Sequence, residues 1–110
     1  MQLPHRDNAV VAPERLTHYL LSPTHPVGRS KAKFFRSHGF TEENWTVLQA
    51  GLLALARSEE VAETEITPHG TKYVLVGAVP APAGAAISVR TVWIIDQGQD
   101  VPRFVTAYPV

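Results

Sequence analysis

A group of polar residues in this sequence has side chains that could bind or transform a phosphate. The candidate catalytic residues are His25, Lys31, Arg90, Thr106 and Tyr108, and the candidate phosphate-binding residues are Arg29, Ser30 and Lys72. Together they supply cations, hydroxyl groups and an imidazole, with neither a carboxylate nor a thiol among them. Chemistry that needs proton transfer and stabilisation of negative charge suits such a set.

Phosphodiester transfer within RNA fits these side chains. The 2′-hydroxyl attacks the adjacent phosphate, which requires a base for the hydroxyl, an acid for the leaving oxygen and cations for the phosphoryl oxygens. His25 could be the base or the acid, because an imidazole titrates near neutral pH, and Tyr108 or Lys31 could carry the other proton. Arg90 would hold the phosphate through its planar fork of donors, and Thr106 would donate a hydrogen bond. The sequence therefore predicts a metal-independent endoribonuclease.

Each candidate also has an ordinary structural explanation, which the sequence leaves open. His25 could hydrogen-bond a loop carbonyl, and Arg90 could form a salt bridge with a glutamate of a helix. Tyr108 could belong to the core with its hydroxyl group satisfied, Thr106 could be an ordinary strand residue, and Lys72 could be a solvated residue beside a turn. The alternative function is a non-catalytic binding or accessory module that uses an open sheet face for a protein or nucleic-acid partner.

The stretch of residues 24–31 predicts an anion site at the start of a helix. His25 lies in a proline-rich loop, and a glycine follows that lets the backbone approach a ligand closely. Unpaired amides and the helix dipole favour anions at a helix N-terminus, and Arg29 and Lys31 would add positive charge. In the simpler interpretation, Ser30 only caps the helix and the cations are solvated.

Three helices are predicted in the first half of the chain. Proline, acidic residues and small hydroxyl residues mark their starts, and proline, glycine or a basic residue marks their ends. The predicted helices cover residues 13–21, residues 31–38 with Ser30 as N-cap, and residues 42–57 with Thr41 as N-cap.

From residue 61 the apolar period changes to two, which is typical of strands. The predicted strands cover residues 61–67, 72–79, 87–95 and 102–108, with short connections between them. This order predicts an α+β fold, in which three N-terminal helices pack on one face of a four-stranded antiparallel sheet. We expect a single domain over residues 1–110, with a helical part at about 13–57 and a sheet at about 61–108.

The register of the last two strands decides whether the candidate residues meet. Side chains alternate along a strand, so Arg90, Thr106 and Tyr108 share a face only if even-numbered residues of both strands pair. A slip of one residue would place Arg90 beside Val105 or Ala107 instead. Even pairing is favoured because it gives one mostly aliphatic face and one mixed face.

Composition excludes several classes of protein. Ten Lys and Arg residues balance ten Asp and Glu residues, which argues against a generally basic nucleic-acid binder. The absence of cysteine excludes a disulfide framework and a thiolate site, and it fits a cytoplasmic protein. No histidine shows metal-ligand spacing, so neither a metal nor a cofactor is predicted. A basic patch remains, because no acid lies between Glu14 and Glu42.

Two resemblances to known families add to these expectations. The motifs HPVGRSKAKFF at residues 25–35, VRTVWII at 89–95 and PRFVTAYP at 102–109 resemble a small bacterial domain family of unknown function. More loosely, the helices followed by four antiparallel strands, and the terminal Val-Thr-Ala-Tyr-Pro strand, resemble the barnase, colicin-type and RelE-like ribonuclease toxins.

The second resemblance implies a bacterial toxin of a toxin–antitoxin type that hydrolyses RNA. It implies that His25, Lys31, Arg90, Thr106 and Tyr108 surround the scissile phosphate. It also implies a small antitoxin or immunity protein as partner. No membrane association is expected, because the longest apolar stretch, around residues 47–56, is too short and too interrupted to span a bilayer. Many such toxins are basic overall, so the neutral charge of this chain argues against non-specific RNA cleavage and leaves a narrow substrate, such as a tRNA, as the alternative.

Overall fold

The computed structural model describes residues 1–110, and its helical elements all precede the sheet. A 3₁₀ turn (Arg6–Asn8) is followed by α1 (Pro13–Arg15), which continues as a π-helical turn (Leu16–Leu20). The longer helices are α2 (Arg29–Ser37) and α3 (Trp45–Ser58). No helix is both long enough and apolar enough to cross a membrane.

The second half of the chain forms one antiparallel sheet. Its strands are β1 (Val61–Thr67), β2 (Gly70–Ala81), β3 (Gly84–Asp96) and β4 (Pro102–Pro109), and they lie side by side in chain order. The predicted α+β fold of three helical regions and a four-stranded antiparallel sheet is therefore confirmed. Because β1 and β4 are the two edge strands, the site predicted near Tyr108 lies at a sheet edge.

Two predicted helix caps are wrong. The third helix begins at Trp45 rather than at residue 42, because Asn44 holds the preceding residues in a loop. The Asn44 side chain accepts a hydrogen bond from the Thr41 amide at 2.7 Å and donates one to the Gly39 carbonyl at 3.0 Å. Helix α2 begins at Arg29, so Ser30 lies inside its first turn and does not cap it.

The helices cover one face of the sheet, and the odd-numbered residues of β3 point into that core. Trp93 is fully buried, and its ring lies edge-on to Phe104 with the centroids 5.4 Å apart. Its Nε1 donates to the Thr91 hydroxyl at 2.9 Å, which in turn donates to the Leu75 carbonyl at 2.8 Å. The buried polar groups here are thus paired, which removes the cost of burying them.

The register between β3 and β4 changes partway along the strands. Arg90 pairs with Tyr108 and Val92 with Thr106, which confirms the even pairing over this stretch. The register then shifts, and Trp93 pairs with Phe104. The extra residue on β4 is Val105, which is the pattern of a β-bulge. Even pairing alone would place Phe104 on the mixed face, but the bulge turns it into the core, where it is buried.

Candidate functional site

A surface pocket of about 460 Å³ lies between the first turn of α2 and the end of β4. The residues that line it are Ser30, Lys31, Phe34, Thr106, Tyr108 and Pro109. Helix α2 contributes the Lys31 ammonium group and the amides of Ser30 and Lys31, since the Arg29 and Ala32 amides already donate to backbone carbonyls. Strand β4 contributes two hydroxyl groups from alternate positions. The fold therefore brings together predicted residues that are about 75 positions apart in the chain.

Tyr19 supports this pocket from the helical side. Its hydroxyl group lies 3.0 Å from the Thr106 hydroxyl, and its ring is buried. The Arg15 guanidinium lies over the ring at 4.2 Å from the centroid, and its Nε donates to the Val105 carbonyl at 2.6 Å. Tyr19 lies in the predicted helix of residues 13–21 and is not among the site residues that the sequence indicated. Because a buried tyrosine hydroxyl group needs a hydrogen-bond partner, a tyrosine on the apolar side of a helix is itself a signal for a polar contact.

His25 organises the loop before α2 and does not line the pocket. Its Nδ1 accepts hydrogen bonds from the amides of Val27 and Gly28, both at 3.0 Å. Its ring packs edge-on against Tyr19, with centroids 5.1 Å apart. In the neutral ring the proton therefore sits on Nε2, and the lone pair that a base would use is already occupied. No contact here supports the expected role of His25 as base, nor the simpler expectation of a bond to a carbonyl.

Gly28 lets the same loop pack closely against the π-helical turn that follows α1. A Cβ at this position would lie far inside contact distance of the Tyr19 carbonyl oxygen, and 3.0 Å from the Tyr19 ring. Gly28→Ala should therefore lower the free energy of unfolding by about 1–3 kcal/mol, because the backbone cannot move aside cheaply. Urea unfolding measures this loss. Ser30→Ala, an exposed change two residues later, is the control, and equal stability of both variants would contradict the expectation.

Arg90 lies on the open face of the sheet, next to the pocket. Its side chain is 27% exposed, and Nη2 lies 2.6 Å from Oε1 of Glu63 on β1. The hydrogen bond to Glu63, and after it one with Tyr108, raises the pKa of Arg90 above its ordinary value. The salt bridge thus involves a strand glutamate rather than the expected helix glutamate. It also adds a carboxylate to a set that the sequence presented as free of carboxylates.

The remaining phosphate-binding candidates lie outside the pocket. Lys72 pairs with Ile94 on the open face, four residues along β3 from the Arg90 position, or about 13 Å. Arg29 lines a separate groove on α2, because residues two positions apart point to nearly opposite sides of a helix. Lys72 and Arg29 therefore lie apart from Lys31. Helix geometry alone predicts this for Arg29, but the position of Lys72 could not be predicted from the sequence.

The arrangement is suited to holding a small anion. Lys31 supplies a positive charge, the first turn of α2 supplies amides, and Thr106 and Tyr108 supply hydroxyl donors. The Phe34 ring gives one wall an apolar surface. No group of three or more His, Asp or Glu side chains lies close enough to hold a metal ion.

Comparisons with known proteins place the chain in a family and a fold. A family model described as "Domain of unknown function (DUF6883)" matches residues 2–110. No curated protein sequence matches the chain. Among solved structures, one chain of a contact-dependent growth inhibition toxin–immunity protein complex from Klebsiella pneumoniae 342 has a TM-score of 0.72 at 15% sequence identity. The match covers 93% of this chain and 100% of that chain, and at this identity it shows a shared fold.

Proposed function

We propose that this chain, which belongs to the DUF6883 family, is a metal-independent endoribonuclease of bacterial toxin type that acts in the cytoplasm as one domain. The pocket in which Lys31, Thr106 and Tyr108 meet, with Arg90 paired to Tyr108, is the observation that carries this proposal. The fold shared with a chain from a toxin–immunity protein complex supports the class.

In the proposed reaction, the phosphate occupies the pocket and the 2′-oxygen attacks phosphorus while the bond to the 5′-oxygen breaks. Lys31 and the α2 amides hold the nonbridging oxygens, and Thr106, fixed by Tyr19, donates a hydrogen bond to them. Tyr108 protonates the leaving oxygen. Arg90 stabilises the growing negative charge.

Glu63 takes the place that the sequence suggested for His25. It is the carboxylate in contact with Arg90, and its exposed side chain is able to accept the proton of the 2′-hydroxyl group. When phosphate binds, the Arg90 guanidinium exchanges part of its contact with Glu63 for the phosphoryl oxygens. His25 then has a positioning role, since it holds the loop and the ring of Tyr19.

Cleavage of RNA by the purified protein in EDTA tests this function. The wild type should produce 2′,3′-cyclic phosphate ends, and Tyr108→Phe should reduce the rate by about 10²- to 10⁴-fold, because the acid is lost. Tyr73→Phe removes a hydroxyl group from β2 outside the pocket and is the matched control. RNA and tRNA pools that stay intact with the wild type would overturn the proposal.

The proposal includes an antitoxin or immunity protein that neutralises the enzyme. The structural neighbour comes from a complex that contains both a toxin and its immunity protein, and this supports such a partner. The same observation favours a second candidate, a non-catalytic binding module, because each chain of such a pair binds the other. Expression in bacteria separates the two. Growth arrest that Tyr108→Phe relieves supports the enzyme, and harmless overexpression together with a stable co-purifying partner supports the module.

A further inference from the structure

A second groove, of about 590 Å³, lies on the side of α2 away from β4. The residues that line it are Pro23, Arg29, Ser30, Lys33, Arg36 and Ser37. Ser30 lines both this groove and the phosphate pocket, so the two adjoin at this residue in the first turn of the helix. A chain-like ligand that leaves the pocket past Ser30 would therefore enter the groove.

The groove is strongly positive in a protein of zero net charge. Arg29 and Lys33 are exposed, and neither forms a salt bridge. Arg36 is different, because its Nη1 lies 3.4 Å from a Glu42 oxygen and donates to the Leu21 carbonyl at 3.1 Å. Two unpaired cations thus face the groove, and a third, partly neutralised cation closes its far end.

The spacing of the two free cations points to an anionic ligand. Arg29 and Lys33 are one helical turn apart on the same face, with a rise of about 6 Å between them. Like charges at this spacing repel each other and destabilise an isolated helix. A ligand with successive negative charges relieves the repulsion, and the backbone of a nucleic-acid strand has such a repeat.

We propose that Arg29 and Lys33 bind the phosphates that flank the scissile linkage of a single-stranded RNA. This inference rests on the proposed function and adds the class of substrate to it. The enzyme then acts on strands of several nucleotides, and a dinucleotide fills the pocket but does not reach the groove. Contacts to phosphates position a strand without reading its bases, so any selectivity for sequence arises elsewhere.

The first test measures binding without cleavage, using a fluorescein-labelled single-stranded DNA decamer, which lacks the attacking 2′-hydroxyl group. Affinity is measured by anisotropy over a range of KCl concentrations. In Arg29→Gln/Lys33→Gln, the slope of log K against log[KCl] should become shallower by about 1.4, or about 0.7 for each lost phosphate contact. Arg6→Gln/Arg57→Gln removes the same charge outside both cavities and should keep the wild-type slope. Equal slopes for the two double variants would overturn the inference.

The second test compares cleavage of an RNA decamer with that of a dinucleotide. The groove variant should have a raised KM for the decamer, while its kcat and its rate on the dinucleotide match the wild type. An equal loss on both substrates would overturn the inference, because it would place these cations at the reacting linkage. If the wild type cleaves neither RNA, the proposed function fails, and the DNA titration still decides whether the groove binds a strand.

Discussion

Arg90→Gln should reduce RNA cleavage by about 10²- to 10³-fold and leave the fold intact. Its guanidinium is the cation beside Tyr108, so in the proposed reaction its loss leaves the charge of the transition state without a preorganised donor. The substitution leaves Glu63 without its salt-bridge partner, but this side chain is 64% exposed and remains hydrated. A salt bridge of this exposure contributes little to stability, so the unfolding midpoint should stay close to that of the wild type.

Two further variants make this prediction specific. Arg103→Gln removes a strand arginine that binds Asp96 through two hydrogen bonds, of 2.7 and 2.9 Å, outside the pocket, and it should cleave at the wild-type rate. Arg90→Lys keeps the charge but loses the fork of donors, so its rate should lie between those of Arg90→Gln and the wild type. Cleavage by Arg90→Gln within threefold of the wild-type rate would remove Arg90 from the mechanism.

Trp93→Ala should lower the free energy of unfolding by about 3–5 kcal/mol, measured by urea denaturation. The ring is fully buried against Phe104, and its removal opens a cavity between the sheet and the helices. A protein of this size has only about 5–15 kcal/mol of stability, so this loss is a large share of the total.

Trp45→Ala is the matched control, because Trp45 is only partly buried where it packs on the core at the start of α3. Trp45→Ala should lower the free energy of unfolding clearly less than Trp93→Ala does. Trp93→Phe keeps an aromatic ring in the core but loses the hydrogen bond to Thr91. Its smaller loss of unfolding free energy can be measured even if the alanine variant does not fold. A larger loss from Trp45→Ala than from Trp93→Ala would contradict the proposed position of the core.

The last hairpin was predictable because its apolar periodicity follows burial: the odd-numbered residues of β3 face the core, and the pairing of Arg90 with Tyr108 follows from that choice of face. The strand at Val61–Thr67 also has the predicted bounds, although none of its residues is buried. The helix starts were less predictable. The third helix starts later because the Asn44 side chain bonds the Gly39 carbonyl, a contact that local preference does not contain.

The most predictable part of the candidate site lies within a single strand. Thr106 and Tyr108 lie two positions apart on one strand, so a shared pocket follows from alternation. The position of Lys72 along the sheet depended on pairing across β2 and β3, and the contact of Glu63 with Arg90 spans an intervening strand. Neither relation is encoded within a short stretch of sequence, and both therefore required coordinates.

With Val105 in the chain, the bulge at this residue determines which side of the sheet each later side chain of β4 faces. Before it, Phe104 points inward to Trp93, and after it, Thr106 points to the pocket while Ala107 turns inward. Deleting Val105 would not change these directions, because Phe104 and Thr106 would then be neighbours opposite Trp93 and Val92. The deletion would remove the bulge, and with it the Val105 carbonyl that accepts a hydrogen bond from Arg15. A strand end one residue shorter would thus keep its pocket side and its core side, although it would lose its bend and its tie to the first helix.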